Sequence, residues 1–232
     1  MNTNIKELMR GDKILDNINV NNEVHLAGQI YSKLTLSHEV YGERFLTFCL
    51  KVERLSDISD YINITVSERL IKTMELDEGD FVEVDGQFRS YNNYSSVGNR
   101  LILTVFARDI TLSYDDNFKN PNYIYLNGFI CKSPVYRITP FGREITDILV
   151  AVNRAYNKSD YMPCIAWGRN ARFSGNLMVG DNIKIWGRIQ SREYQKKISD
   201  DETVTKTAFE VSISKMEVIP KESEKDTESE IS

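Results

Sequence analysis

The chain matches itself at an offset of one hundred residues, and the matches fall on glycines and charged residues rather than on a blur of apolar ones. Gly28 recurs as Gly128, Gly42 as Gly142, Arg54 as Arg154, and the pair Asp60-Tyr61 as Asp160-Tyr161. One residue of drift then carries Gly79-Asp80 onto Gly180-Asp181, Gly86 onto Gly187 and Ser90 onto Ser191. A self-match at a fixed period that includes turn glycines means two copies of one fold. The 232 residues have room for two domains of about 100 residues, a common domain size.

Within each copy the dominant period is two. Ile183, Ile185, Gly187 and Ile189 alternate with Lys184, Trp186, Arg188 and Gln190, and Val82, Val84, Gly86 and Phe88 alternate with Glu83, Asp85, Gln87 and Arg89. Such alternation marks half-buried strands. Val24, Leu26, Gly28 and Ile30 open the first copy, and Ile124, Leu126, Gly128 and Ile130 open the second. Asn170 to Val179 has room for one or two helical turns. About five strands per copy, a short helical insertion and glycines inside strands suit an all-β chain of two small closed barrels, each glycine marking a bend or bulge. The expected order is an N-terminal extension over 1–22, a first domain over 23–114, a polar linker over 115–122, a second domain over 123–219 and a disordered acidic tail over 220–232.

Several function classes are disfavoured at once. The only histidines, His25 and His38, lie near no nucleophile motif, and no phosphate-cradling glycine loop, zinc spacing or nucleophile elbow occurs. Glu78 and Asp80 sit in an expected turn, where solvation explains them. The expectation is a protein that is not an enzyme and needs neither cofactor nor metal. No apolar run approaches the roughly 18 residues of a membrane helix, and Met1 to Glu7 lacks the layout of a secretory signal. Cys49, Cys131 and Cys164 read as small core residues of a cytoplasmic protein.

The net charge of −5 hides an asymmetry. Residues 1–121 carry 13 basic and 19 acidic side chains (−6), residues 122–220 carry 14 and 10 (+4), and the tail carries 2 and 5 (−3). A polyanion would be repelled by the first copy and attracted to the second, although free drift of surface charge between copies explains the numbers equally well. The second copy also sets aromatics among cations. Lys184, Trp186, Arg188, Gln190, Arg192 and Tyr194 alternate with core positions, while Tyr156, Tyr161 and Trp167 lie on neighbouring strands with Arg154, Arg169 and Arg172 close by. Aromatic rings stack on unpaired bases and guanidinium groups pair with phosphates, so the pattern points to single-stranded nucleic acid, with ordinary packing as the alternative for any one ring.

These residues resemble a family. Tyr125 to Ile130, Pro134 to Arg137, Thr139 to Gly142, Ala151 to Arg154, Cys164 to Arg169 and Gly187 to Tyr194 together look like a bacterial single-stranded DNA-binding protein. The resemblance covers nearly all of residues 122–219 and implies the OB-fold, a five-stranded Greek-key barrel. It places stacking residues at Tyr156, Tyr161, Trp167 and Tyr194 and basic contacts at Arg137, Arg169 and Arg192. With Trp186 as a further ring and Arg154, Arg172, Lys184 and Arg188 as further cations, these residues make the candidate site. The resemblance also implies four barrels per assembly, hence a homodimer, a nucleoid-associated location, and replication partners recruited by the acidic tail.

The first copy departs from this pattern. Ser56 stands where Tyr156 would be, Ser67 where Trp167 would be and Asn93 where Tyr194 would be, and Glu83 and Asp85 replace Lys184 and Trp186. Arg54, Tyr61, Arg89, Tyr91 and Tyr94 offer at most a weaker site. The expected function is sequence-tolerant binding of single-stranded DNA during replication, recombination or DNA transfer. A primosomal-type OB protein acting as an assembly module, or an RNA-binding OB protein, would show much of the same pattern.

Overall fold

The structure, a computed structural model, describes residues 20–54, 56, 58–92, 101–113, 120–197 and 203–220. Eleven strands and one helix appear among them. The first half contains β1 (Asn22–Ile30), β2 (Thr35–Val40), β3 (Glu43–Glu53), β4 (Ser59–Ser67), β5 (Phe81–Asn92) and β6 (Leu101–Leu112). The second contains β7 (Asn122–Ile138), β8 (Glu144–Asn153), β9 (Ser159–Trp167), α1 (Arg169–Ser174), β10 (Asn182–Lys197) and β11 (Thr203–Ile219). The regular structure of the described part is thus β except for one short helix, as the period-two pattern predicts. No described helix is long and apolar enough to cross a membrane. The terminal extension up to residue 19, most of the linker and all of the tail but Pro220 lie outside the described residues, and Asn22, expected to close the extension, instead opens β1.

Each half closes a ring of paired strands. β1 lies antiparallel to both β3 and β5, β5 to β6, and β3 to β4, and a short parallel pairing of β4 with β6 completes the circuit. In the second half β7 lies between β8 and β10, with β10–β11 and β8–β9 antiparallel and β9–β11 parallel. The alternation sends matched residues inward: Leu26 and Leu126, Leu50 and Val150, Ile62 and Met162, Val82 and Ile183, Phe88 and Ile189, all fully or almost fully buried. Each is worth roughly 1.5–3 kcal/mol relative to exposure. Cys164 belongs to this core, whereas Cys49 and Cys131 are only half-buried, against the expectation of three core thiols.

The mid-strand glycines of the repeat mark close crossings. A Cβ on Gly86 or Gly187 would collide with the carbonyl of Phe106 or Ser212 on the neighbouring strand. In both halves that crossing coincides with a bulge, at Asp85/Gly86 opposite β6 and at Trp186/Gly187 opposite β11.

The two rings are joined edge to edge. β1 and β7 pair antiparallel in the register Asn22↔Leu126, Val24↔Ile124 and Leu26↔Asn122, so the strands of both halves form one sheet. Because Val24 faces its own counterpart Ile124, the junction has an approximate two-fold axis. A second contact obeys the same axis. Ser191 N–H donates to Asp60 at 2.8 Å and Ser90 N–H to Asp160 at 2.8 Å, while Tyr61 and Tyr161 N–H donate to the hydroxyls of Ser191 and Ser90 at 2.9 and 2.7 Å. Arg54 clasps Asp60 with two hydrogen bonds, and Arg154 and Arg89 reach Asp160 at 3.2 and 3.0 Å. The polar residues repeated in the sequence are therefore the reciprocal fastening between the halves.

Candidate nucleic-acid interface

The fastening divides the expected cations into two groups. Asp60 and Asp160 are at most 1% exposed, so the arginines they hold cannot be withdrawn without stranding a buried charge, a loss of about 3–5 kcal/mol. Arg154, Arg54 and Arg89 are committed in this way. Arg188 points into the same junction, where burial and the neighbouring Arg54 lower its pKa, and it donates to Gln190 at 3.4 Å. The middle of the β10 outer face, expected to be open, meets β4 of the other ring, and Gln190 is buried against Glu210.

The second group is exposed. Arg137 holds Asp147 at 2.7 Å with both side chains half exposed, which raises the arginine's pKa through that hydrogen bond. Arg172 meets Glu144 at 3.2 Å and Arg192 meets Glu210 at 4.0 Å. The Arg137–Asp147 pair, exposed on both sides, is worth about 0–1 kcal/mol, so a phosphate can displace its carboxylate cheaply, whereas Glu210 is mostly buried and keeps its bond from Gln190. Among the described residues the side chains of Arg169 and Lys184 have no hydrogen-bond or ion-pair partner at all.

The rings of the second half lie on the β8–β9 loop, β9 and β10. Tyr156, in the loop between β8 and β9, is 94% exposed and holds a positive φ of 61°, rare for a bulky side chain, while the following Asn157, at 53°, is a residue that adopts this conformation readily. Tyr161 and Trp167 stand on β9, 44% and 38% exposed, and Tyr194 is partly buried on the outer part of β10. Trp186 is already engaged by the protein. Tyr125 packs on it at 5.3 Å between ring centroids and the Lys215 ammonium lies 4.4 Å over the ring. In the first half Tyr61 packs edge-on against Tyr31 at 4.7 Å, and Tyr91 lies under Arg154 at 5.9 Å, where burial raises its phenol pKa. Asn93 and Tyr94 lie outside the described residues.

A trough of about 520 Å³ gathers Trp167 with Arg143, Arg192, Arg188 and Arg54. Arg143 was not among the expected site residues. It is exposed, its side chain has no partner among the described residues, and it sits in the turn Thr139 to Arg143 that joins β7 to β8, pinned by Thr139 N–H to its carbonyl at 2.8 Å. Only its place directly after the repeated Gly142 hinted at it. No group of histidine, cysteine and carboxylate side chains among the described residues is arranged to hold a metal ion.

Comparison with family models matches residues 121–219 to the single-strand binding protein family. Residues 121–219 are thus similar to that family. Single-stranded DNA-binding protein 2 of Listeria innocua serovar 6a is 32% identical over 81 residues, which cover 32% of this chain and 51% of the relative. The chain therefore spans about half the length of the curated single-strand binding relatives it matches. The wild-type single-stranded DNA binding protein from Thermus aquaticus superposes with a TM-score of 0.69 over 88% of this chain and 96% of its own, at 18% identity, so both halves share its fold. The N-terminal domain of PriB from Thermoanaerobacter tencongensis, a dimeric structure, is 48% identical over 40% of this chain and 98% of its own, with a TM-score of 0.36.

Proposed function

We propose that this chain binds single-stranded DNA with little sequence preference, without catalysis, and protects it during replication, recombination or DNA transfer. Each ring is read as an OB-fold barrel, 23–114 and 123–219, and two chains would give a homodimer with four barrels. The observation that carries the reading is the trough on the second half. There Trp167 lies beside Arg143, whose side chain has no partner among the described residues, and the weakly paired Arg192, all three within the segment matching the single-strand binding protein family. Trp167, Tyr156, Tyr161 and Tyr194 would stack on bases, and Arg143, Arg169, Arg137, Arg172, Arg192 and Lys184 would meet phosphates. The first half is a weak binder on this reading, with Arg54 and Arg89 held in the junction. The acidic tail is assigned to partner recruitment.

A competition titration decides the matter, using single-stranded DNA, duplex DNA and RNA at two salt concentrations. Single-stranded DNA should win, and its affinity should fall steeply with salt as each neutralised phosphate contributes about −0.7 to the log–log slope. Equal affinity for duplex DNA, or a flat salt response, would refute the proposal.

A further inference from the structure

The approximate two-fold axis builds the crevice between the halves twice, and the two copies differ in charge. One is bounded by Glu53, Arg54, Ser56, Asp60 and Arg188, so its two cations face two carboxylates. Its mate, of about 560 Å³, is bounded by Arg154, Tyr156, Lys158, Arg89 and Arg108, with no acidic side chain among the described residues of its lining. Three exchanges on equivalent loops make the difference: Glu53 becomes Asn153, Ser56 becomes Tyr156, and Ile58 becomes Lys158. Arg108 adds a fourth cation from the bulged residue of β6, opposite Asp85/Gly86.

The charges in the second crevice are not all spent. Arg89 and Arg154 are held from below by Asp160. The side chains of Arg108 and Lys158 are exposed and have no ion-pair or hydrogen-bond partner among the described residues. Four cations, two from each half, against one buried carboxylate among the described residues leave a local excess of positive charge. Tyr156 stands at the rim almost fully exposed, on the strained left-handed backbone described above. A cationic floor beside a free aromatic edge suits one nucleotide unit of a single strand, phosphate below and base against the ring.

We propose that this crevice is a bridging subsite, where a strand of single-stranded DNA held on the second half crosses to the first, with Arg108 and Lys158 taking its phosphates. The proposal rests on the binding function above and adds to it a contact supplied by the first half. The test uses the full chain and the double variant Arg108→Ala with Lys158→Ala, titrated with oligothymidine while following the fluorescence of Trp167 and Trp186. One oligomer has about 8 nucleotides, within what a single fold of this type holds, and the other about 30. The double variant should lose roughly tenfold in affinity for the long oligomer, with a salt slope shallower by about 1.4, the value for two single-strand phosphates. Its affinity for the short oligomer should be unchanged. An unaltered slope and affinity for the long oligomer would overturn the subsite while leaving the function standing, and so would an equal loss at both lengths. A wild-type chain that bound neither oligomer would overturn the function and the subsite together.

Discussion

Asp160 and Asp147 each face an arginine, but only one of them is buried, and that decides what each pair does. Replacing Asp160 with alanine leaves Arg154 and Arg89 facing each other in a closed junction and should cost about 3–5 kcal/mol in a urea unfolding curve. Asp147→Ala, beside the half-exposed Arg137, should cost less than about 1 kcal/mol and leave the unfolding midpoint nearly unchanged. At the binding face, Trp167→Ala should weaken oligothymidine binding by about 1–3 kcal/mol with no comparable loss of stability, measured by anisotropy of a labelled oligomer. The rings at Tyr156, Tyr161 and Trp167 were nameable from the sequence and are exposed, whereas Trp186, set among the alternating cations of β10, is packed by Tyr125 and Lys215. The commitment of Arg154, Arg54 and Arg89 was not legible in the sequence, since an arginine's partner depends on which halves meet and where. Arg143 stayed hidden for the opposite reason: a lone cation in a turn looks like ordinary solvated charge.

At the scale of the element, the glycines carried the most accurate information. Their period marked both copies, and at Gly86 and Gly187 their places inside strands marked bends that the structure realises as bulges, whereas Gly28 and Gly128 mark close crossings without one. The cause was not readable, because it is a carbonyl on another strand. Gly187→Ala should therefore destabilise by about 1–3 kcal/mol by crowding the Ser212 carbonyl, whereas Gly142→Ala, with open space around its Cβ, meets only the strain of φ 75°. Paired thermal melts would show the larger loss at Gly187. The alternation along β10 was also read correctly, but its outer face is open only towards its ends. Period-two patterning separates inside from outside and does not reveal which part of the outside another ring will cover.

For the molecule as a whole, the halves are held by two separate devices, the β1–β7 ladder and the pair of buried aspartates. A protease site inserted within residues 114–119 should accordingly yield a nicked protein whose halves still elute together in gel filtration. The same nick combined with Asp60→Ala and Asp160→Ala should release them, and separation of the singly nicked form would refute this account. The closing of both rings was legible from strand count and glycines. Their union through β1 and β7 was not, because an edge strand carries no mark of what it will pair with.

The register that sets Val24 against Ile124 is self-complementary, the kind of contact two identical subunits make. Identical subunits so joined give a ligand the same environment whichever way round it lies. Here the two partners are covalently one chain and have been free to become unlike, so the junction keeps its symmetry while the surfaces beside it have lost theirs. A strand lying across it meets a basic, ring-studded half at one end and an acidic half at the other. Its 5′ and 3′ ends are no longer equivalent, and the pair of rings has acquired a direction.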